Sequence, residues 1–470
     1  MNHNKRIVAL SLCCTMMIST LVFTACGSKD KSAGDTASGI SQAVETNNDS
    51  ANDSVKDTGK GKTLDISWFE GGSGREYVDY AIQKYQEKYP DLVIKTDIGP
   101  KNAETLRPRF VAGDPPDIIM ANYSQLDYFS LISDNQLAPI DDVLASPAPG
   151  DESKKLEDIF VPGILDRGAV NGKRYILPGF VHYYGLWYDG TTFDKNGVRV
   201  PNNYDEWINT SQQILDSGKM SPFTYQGMYP NYLLRTMFFP LVASYGGTQA
   251  IEDIDKLVPG AWQSDAVTNA AKDLKAYTDK YLMKGTLALN HTQAQMEFIN
   301  RRAAMITCGT YLENEMKGNW PDDFDLKFMF APTGKESNNA KYTWATCDFM
   351  SVPTKAKNPE MAKEFLKQMY TEEVRKVGAE KAGGVYPVLG GATGFEDVLP
   401  ASVVYTNEMI SQDNVNVIFG KYEIWYKTLY KQACDSLTAL VTGKYTPEQF
   451  TKEVEAEAER VRKDDSIVKY

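Results

Sequence analysis

Hydrophobic and polar residues alternate over Thr63–Phe69 (Thr-Leu-Asp-Ile-Ser-Trp-Phe), the period-two pattern of a strand with one buried face. The glycine-rich turn Gly71-Gly72-Ser73-Gly74 follows it. Tyr77, Tyr80, Ala81 and Tyr85 then recur at helical spacing, and Tyr89-Pro90-Asp91 ends that helix before a second strand at residues 92–96. A third strand is expected at residues 117–120, after the turn Gly113-Asp114-Pro115-Pro116, with further strands at 175–177 and 186–188 and helical stretches between them. Strands that alternate with helices predict an α/β fold with a parallel-rich sheet. Ligands in such sheets sit beyond the carboxyl ends of the strands, so the residues to inspect follow each strand.

Two segments at the start depart from this pattern. Residues 7–23 form an apolar run behind Lys5 and Arg6, and Thr24 and Ala25 separate the run from Cys26. Ser11, Thr15, Ser19 and Thr20 interrupt it, and it falls short of the ~20 strongly apolar residues that a spanning helix needs, so residues 1–25 read as an export signal. Residues 27–62 are rich in Ser, Asp, Lys, Gly, Asn and Thr and hold no aromatic residue, a composition that cannot bury enough apolar surface to order itself. They read as a tether of about 30–35 Å mean span. Leu21-Val22-Phe23-Thr24-Ala25-Cys26-Gly27 resembles the lipobox of bacterial lipoproteins, which implies that Cys26 becomes the lipid-modified first residue of the mature chain. Two or more acyl chains give the stable anchoring that one cannot, which puts the expected location at the outer face of the cell membrane.

The remaining 400-odd residues are ordinary globular material, and a formal net charge of −12 excludes the basic footprint of a nucleic-acid-binding protein. Beyond Cys26 only Cys308, Cys347 and Cys434 remain, too few for a disulfide framework.

Five stretches resemble, in order, the extracellular solute-binding proteins of family 1, the group that includes maltose-binding protein. They are Val111-Ala112-Gly113-Asp114-Pro115-Pro116-Asp117-Ile118-Ile119, Gly185-Leu186-Trp187-Tyr188-Asp189, Pro201-Asn202-Asn203-Tyr204-Asp205-Glu206-Trp207, Ala304-Met305-Ile306-Thr307-Cys308-Gly309-Thr310-Tyr311, and Ser351-Val352-Pro353 with Asn358-Pro359-Glu360-Met361-Ala362-Lys363-Glu364-Phe365-Leu366. Asp189, Asn203-Tyr204 and Tyr311 stand where that family usually has Asn, Thr-Trp and Trp. The resemblance implies a two-lobed periplasmic-binding-protein fold (type II), each lobe a mixed, mostly parallel sheet flanked by helices, with the ligand cleft between. The chain would cross near Pro178, Pro332 and Pro387, giving lobe one residues 63–178 with 332–387 and lobe two residues 179–331 with 388–470. It further implies a monomeric receptor that closes on a sugar, N-acetylglucosamine-type or another oligosaccharide, and delivers it to the permease subunits of an ABC importer.

Catalytic chemistry leaves few traces. His182 and His291 are far apart in sequence, and the chain lacks G-x-S-x-G, H-E-x-x-H, a Walker loop and any C-x-x-C pair. Tyr77 stands where a dinucleotide loop beginning at Gly72-Ser73-Gly74 needs its last glycine. No cofactor, metal or enzymatic activity is expected. The alternatives are a glycoside hydrolase, which needs only two carboxylates, and a surface scaffold or adhesin.

A sugar offers hydroxyls and an apolar face, so its receptor needs planar hydrogen-bonding groups and an aromatic ring. Glu70 follows the first strand, and Asn122 and Tyr123 follow the third; each is a ligand candidate or a turn residue. His182 and Tyr183 lie near the first crossing, and Trp344 and Asp348 near the second. The loop 224–232 contributes Tyr225, Gln226 and Tyr229, or packs on its own tyrosines. Arg235, the one Arg on an apolar helix, forks to the ligand or pairs with a buried acid. Asp117 reads as structural. Tyr311 and Trp425 are expected to form the aromatic floor, with Gly309 letting backbone approach the ligand and Trp425 opening the helix Trp425-Tyr426-Lys427-Thr428-Leu429-Tyr430. Core packing is the competing reading for both rings.

Replacement of Cys26 by Ser should release the protein from membranes into the washed supernatant. Retention of the Cys26→Ser protein would identify an uncleaved apolar anchor instead.

Overall fold

The alternating residues near the start fold into strand β1 (Thr63–Phe69), which buries Leu64, Ile66 and Trp68. The structure is a computed structural model that describes residues 57–334 and 340–469. The export signal, Cys26 and most of the expected tether lie outside the described residues. The last residues assigned to the tether belong to the globule. The Asp91 N–H donates to Thr58 O at 2.9 Å, the Val93 N–H donates to Lys62 O at 3.1 Å, and Gly59, at φ +75°, packs against Leu92.

After β1 the helix Glu76–Lys88 buries Tyr77, Val78, Ala81 and Tyr85. The strands β2 (Val93–Gly99) and β3 (Ile118–Met120) both pair parallel with β1. The Gly113–Asp117 motif earns its place structurally. Asp117 accepts the backbone N–H groups of Asp65 (2.9 Å) and Asn358 (2.8 Å), and Asn358 Nδ2 donates to Thr63 O at 2.6 Å. One buried carboxylate thus pins β1, β3 and the start of the helix Pro359–Gln368, and its loss would strand buried donors at about 1–3 kcal/mol each.

Of the segments expected at 175–177 and 186–188, the first contributes only Leu177 and the second all three residues to one thirteen-residue strand, Leu177–Asp189. Most of its side chains are buried on both faces, so its sequence shows no polar alternation, and Pro178, Gly179 and Gly185 punctuate it misleadingly. A second long strand, Lys341–Ser351, pairs antiparallel with its first half. Together they join two groups of strands into one mixed sheet, ordered β2, β1, β3, Lys341–Ser351, Leu177–Asp189, Ala303–Gly309 and Ser221–Thr224. The parallel pairs lie towards the ends, and the two crossing strands run antiparallel to each other and to β3, Ala303–Gly309 and Leu326–Met329. Val415–Ile418 pairs parallel with the start of Lys341–Ser351.

Of the expected crossings, Pro178 falls at the start of the first long strand, and Pro332 precedes the second, Lys341–Ser351, by nine residues. Near Pro387, Val385 bridges to Val181, and the Val161 N–H donates to Pro387 O at 2.9 Å. No helix among the described residues is long and apolar enough to cross a membrane.

Candidate functional site

Side chains alternate along a strand, so His182 and Tyr184 of the first crossing strand face one side while Tyr183 faces the other. His182 and Tyr184, with Thr346 and Asp348 of the second crossing strand, line a cleft of about 530 Å³. Phe69 and Gly71–Ser73, at and just past the end of β1, and Met120, Asn122 and Tyr123, at and just past the end of β3, form one wall. Tyr229, Tyr232, Arg235, His291, Tyr311 and Glu315 form the opposite one. Asn314 Nδ2 reaches across to Gly72 O at 2.6 Å.

Arg235 organises the floor. It lies in a π-helical turn, Leu234–Phe238, among buried apolar neighbours. Its Nε donates to Glu423 Oε2 (2.9 Å), Nη1 to the Tyr184 hydroxyl (2.9 Å) and Nη2 to the Tyr123 hydroxyl (2.8 Å). The other Glu423 oxygen stands 3.7 Å from Arg167 Nη2, so one buried acid sits between two buried guanidiniums. Burial works against the Arg235 charge, but Glu423 and the facing tyrosines more than offset it and hold its pKa well above the ordinary value. Removing one partner of such a buried pair costs about 3–5 kcal/mol. Arg235 is therefore paired with a buried acid, and its guanidinium edge also reaches the cleft.

A tyrosine cluster continues the wall. The Tyr311 hydroxyl donates to that of Tyr232 (3.0 Å) and lies within hydrogen-bond distance of that of Tyr184 (3.3 Å), from which it can accept. The His182 ring lies edge-on to Tyr311 at 5.3 Å, and burial pushes its pKa down to about 4 despite Glu315, so it is neutral near pH 7 and both donates and accepts. Glu315 Oε2 is 2.7 Å from His291 Nε2 and accepts from Gln295 Nε2 at 2.7 Å. His291, Cys308 and Glu315 have donor atoms within 4.8 Å of one another, a set a soft cation could share. Gln295 already bonds both His291 and Glu315, and burial holds the Cys308 thiol well above its ordinary pKa, so the group reads as a hydrogen-bond network.

Of the residues named from sequence, the cleft gathers Asn122, Tyr123, His182, Tyr229, Arg235, Tyr311 and Asp348. The other seven lie off its wall. Glu70 keeps its place after β1, its N–H donating to Gly99 O. Tyr183 is turned away by strand alternation. Tyr225 is fully buried and lies near-parallel to Phe223, with ring centroids 6.2 Å apart, and buried Gln226 accepts from Thr307 Oγ1 at 3.2 Å, so that part of the loop packs inward. Gly309 serves the Tyr311 ring and not a ligand, because a Cβ there would stand 2.4 Å from Tyr311 Cε1. Trp344 stacks on Phe239 at 4.7 Å between centroids, under the helices of the second strand group. Trp425 is buried against Phe129 at 4.4 Å. Nor does it open a helix: Tyr426, at φ −123° and ψ 80°, separates Tyr422–Trp425 from Lys427–Val441.

Sequence reasoning missed Tyr184, Tyr232, His291 and Glu315. Tyr184 was recoverable by stepping two residues from His182, and Tyr232 lies in the loop already singled out. His182 and His291, distant in sequence, meet at one cleft, and no local pattern signals that.

A model of the bacterial extracellular solute-binding protein family matches residues 71–376. The diacetylchitobiose binding protein NgcE of Streptomyces coelicolor is 26% identical over 416 residues, covering 87% of this chain and 86% of that one. The multiple sugar-binding protein of Streptococcus mutans is 22% identical over 298 residues, covering 62% and 67%. Among solved structures, a chitin oligosaccharide binding protein superposes with a TM-score of 0.69 at 19% identity, covering 85% of this chain and 98% of its own. Maltose-bound MalE3 of T. maritima gives 0.66 at 16%, covering 85% and 99%. These likenesses establish the type II periplasmic-binding-protein fold.

Because Trp425 packs on Phe129, Trp425→Ala should cost about 3–5 kcal/mol of folding free energy in chemical denaturation. Calorimetry should find ligand affinity retained by the folded fraction. A stably folded Trp425→Ala protein that has lost its ligand would place the indole in the cleft after all.

Proposed function

The chain belongs to the bacterial extracellular solute-binding proteins, and from that premise we propose that it is a carbohydrate receptor that closes on a short N-acetylglucosamine-type oligosaccharide. It hands this ligand to an ABC importer, without covalent change. The observation that carries the reading is the lining of the cleft. The rings of Tyr123, Tyr184, Tyr232 and Tyr311 offer flat apolar faces, and His182, Asn122 and Asp348 offer planar hydrogen-bonding groups around them. The choice among sugars leans on the likeness to a diacetylchitobiose binding protein along 87% of the chain.

In this reading the two strand groups, residues 63–178 with 332–387 and 179–331 with 388–470, move as lobes about the crossing strands. Asn314 and Gly72 meet across the cleft as they close. Lipid attachment at Cys26 would hold the monomer at the outer membrane face. The receptor gains affinity only from what the closed state contacts, so closure and binding are the same equilibrium.

N,N′-diacetylchitobiose should raise the melting temperature by several degrees at 100 times its Kd, where linkage gives about 2.7 kcal/mol, and maltose and galactose should do so less. Incubation with the same sugar should yield no new reducing ends. Melting curves unmoved by every mono- and oligosaccharide would contradict the assignment, and accumulating reducing ends would make the protein a hydrolase.

A further inference from the structure

The cleft contains one carboxylate with nothing to hold it. Asp348 lies midway along the second crossing strand, and among the described residues no side chain or backbone group donates a hydrogen bond to it and no cation pairs with it. The sheet is built around this position. Cys347 pairs with Val181 and Phe349 with Pro178, so two residues of the first crossing strand, Gly179 and Phe180, stand opposite the single Asp348. That irregularity is a bulge, the device by which sheets re-aim a side chain beside a site. Gly179 leaves the space: a Cβ there would come within 2.8 Å of Asp348 Cβ. Asp348 is half-buried, so its carboxylate has lost part of its hydration with no protein donor in exchange, a cost that a ligand's donors would offset.

We propose that Asp348 is the ligand-anchoring residue of the cleft, accepting hydrogen bonds from saccharide hydroxyl or amide donors, and that its occupation couples capture to proton release. The proposal rests on the reading of the cleft as a saccharide site and adds the atom that fixes the sugar and the linkage that follows. The titratable groups near enough to feel the charge of Asp348 are Tyr77 of the helix Glu76–Lys88, Tyr128, Tyr386 and its neighbour Cys347. Burial raises the pKa of every one of them, Cys347 to about 11, so all are neutral near pH 7 and none stabilises the carboxylate. Apart from its tyrosines, the other ionisable groups of the cleft are Arg235, committed to Glu423, His182, neutral, and the pair His291 and Glu315.

Burial accordingly pushes the Asp348 carboxyl up to about 7. The free site is then partly protonated at neutral pH. A saccharide that donates to both carboxylate oxygens favours the ionised form, and the proton leaves to solvent. Below pH 7 affinity should fall, approaching tenfold per pH unit well below the pKa. The unliganded protein moves the other way. A carboxyl raised from its unfolded value contributes stability that is fully present below about pH 4 and is lost as pH rises through 7.

The test is calorimetric titration of the full chain with N,N′-diacetylchitobiose from pH 5.5 to 8.5, in buffers of different ionisation enthalpy, alongside Asp348→Asn. The wild type should bind tightest at pH 8.5, lose at least tenfold by pH 5.5 and release close to one proton at pH 6. Asp348→Asn should bind more weakly at pH 8.5, with a flat profile and no proton release. Its unliganded melting temperature should lose the rise that the wild type shows on acidification from pH 8 to pH 5, a readout independent of any sugar. A flat wild-type profile, or a slope that survives in Asp348→Asn, would overturn the proposal while leaving the receptor reading intact. Failure of every saccharide to bind at pH 8.5 would overturn both.

Discussion

The antiparallel pairing of Leu177–Asp189 with Lys341–Ser351 is the contact on which the rest of the molecule depends. It joins the strand group around β1 to the group around Ala303–Gly309, and through strand alternation it supplies His182, Tyr184, Thr346 and Asp348 to the cleft. Side chains carried by paired strands are held more closely than side chains on loops, so the floor of the site is preformed. The bulge opposite Asp348 lies within this pairing, so the same hydrogen bonds that join the sheet also aim its carboxylate.

A second constraint follows from burying charge beneath that floor. Arg235 and Arg167 are both inside, and Glu423 between them offsets a desolvation that neither would survive alone. The arrangement fixes the guanidinium of Arg235, whose remaining donors orient Tyr184 on one strand group and Tyr123 on the other. Tyr123 is held twice, since Lys427 Nζ donates to its carbonyl at 2.7 Å. Arg235, Tyr123, Tyr184, Tyr232 and Tyr311 are thus committed to partners within the protein, whereas no protein group among the described residues donates to the Asp348 carboxylate.

The class of fold was legible because β1, the helix after it and β2 carry clean periods of two and 3.6, and because the five motifs fall in order. Asp117 was readable as structural, and the structure shows why: it accepts backbone donors from two other elements. What escaped was whatever depended on a face or a partner distant in sequence. Leu177–Asp189 hid because burial on both faces erases alternation. Trp344 and Trp425 pack on Phe239 and Phe129, because long rings reach whatever space the neighbouring helices leave, and here that space is core. Gly309 makes room for the Tyr311 ring, since a Cβ there would stand 2.4 Å from Tyr311 Cε1, a contact that depends on a ring orientation no sequence pattern carries.

The most direct measurement of the central claim is a crystal structure of the protein with N,N′-diacetylchitobiose. Electron density for the sugar is expected astride the two crossing strands, with a ring over the tyrosine cluster of Tyr184, Tyr232 and Tyr311 and a hydroxyl or amide donor within hydrogen-bond distance of Asp348. Density for the sugar away from these strands, or a sugar in the cleft with Asp348 still without a donor, would contradict the claim.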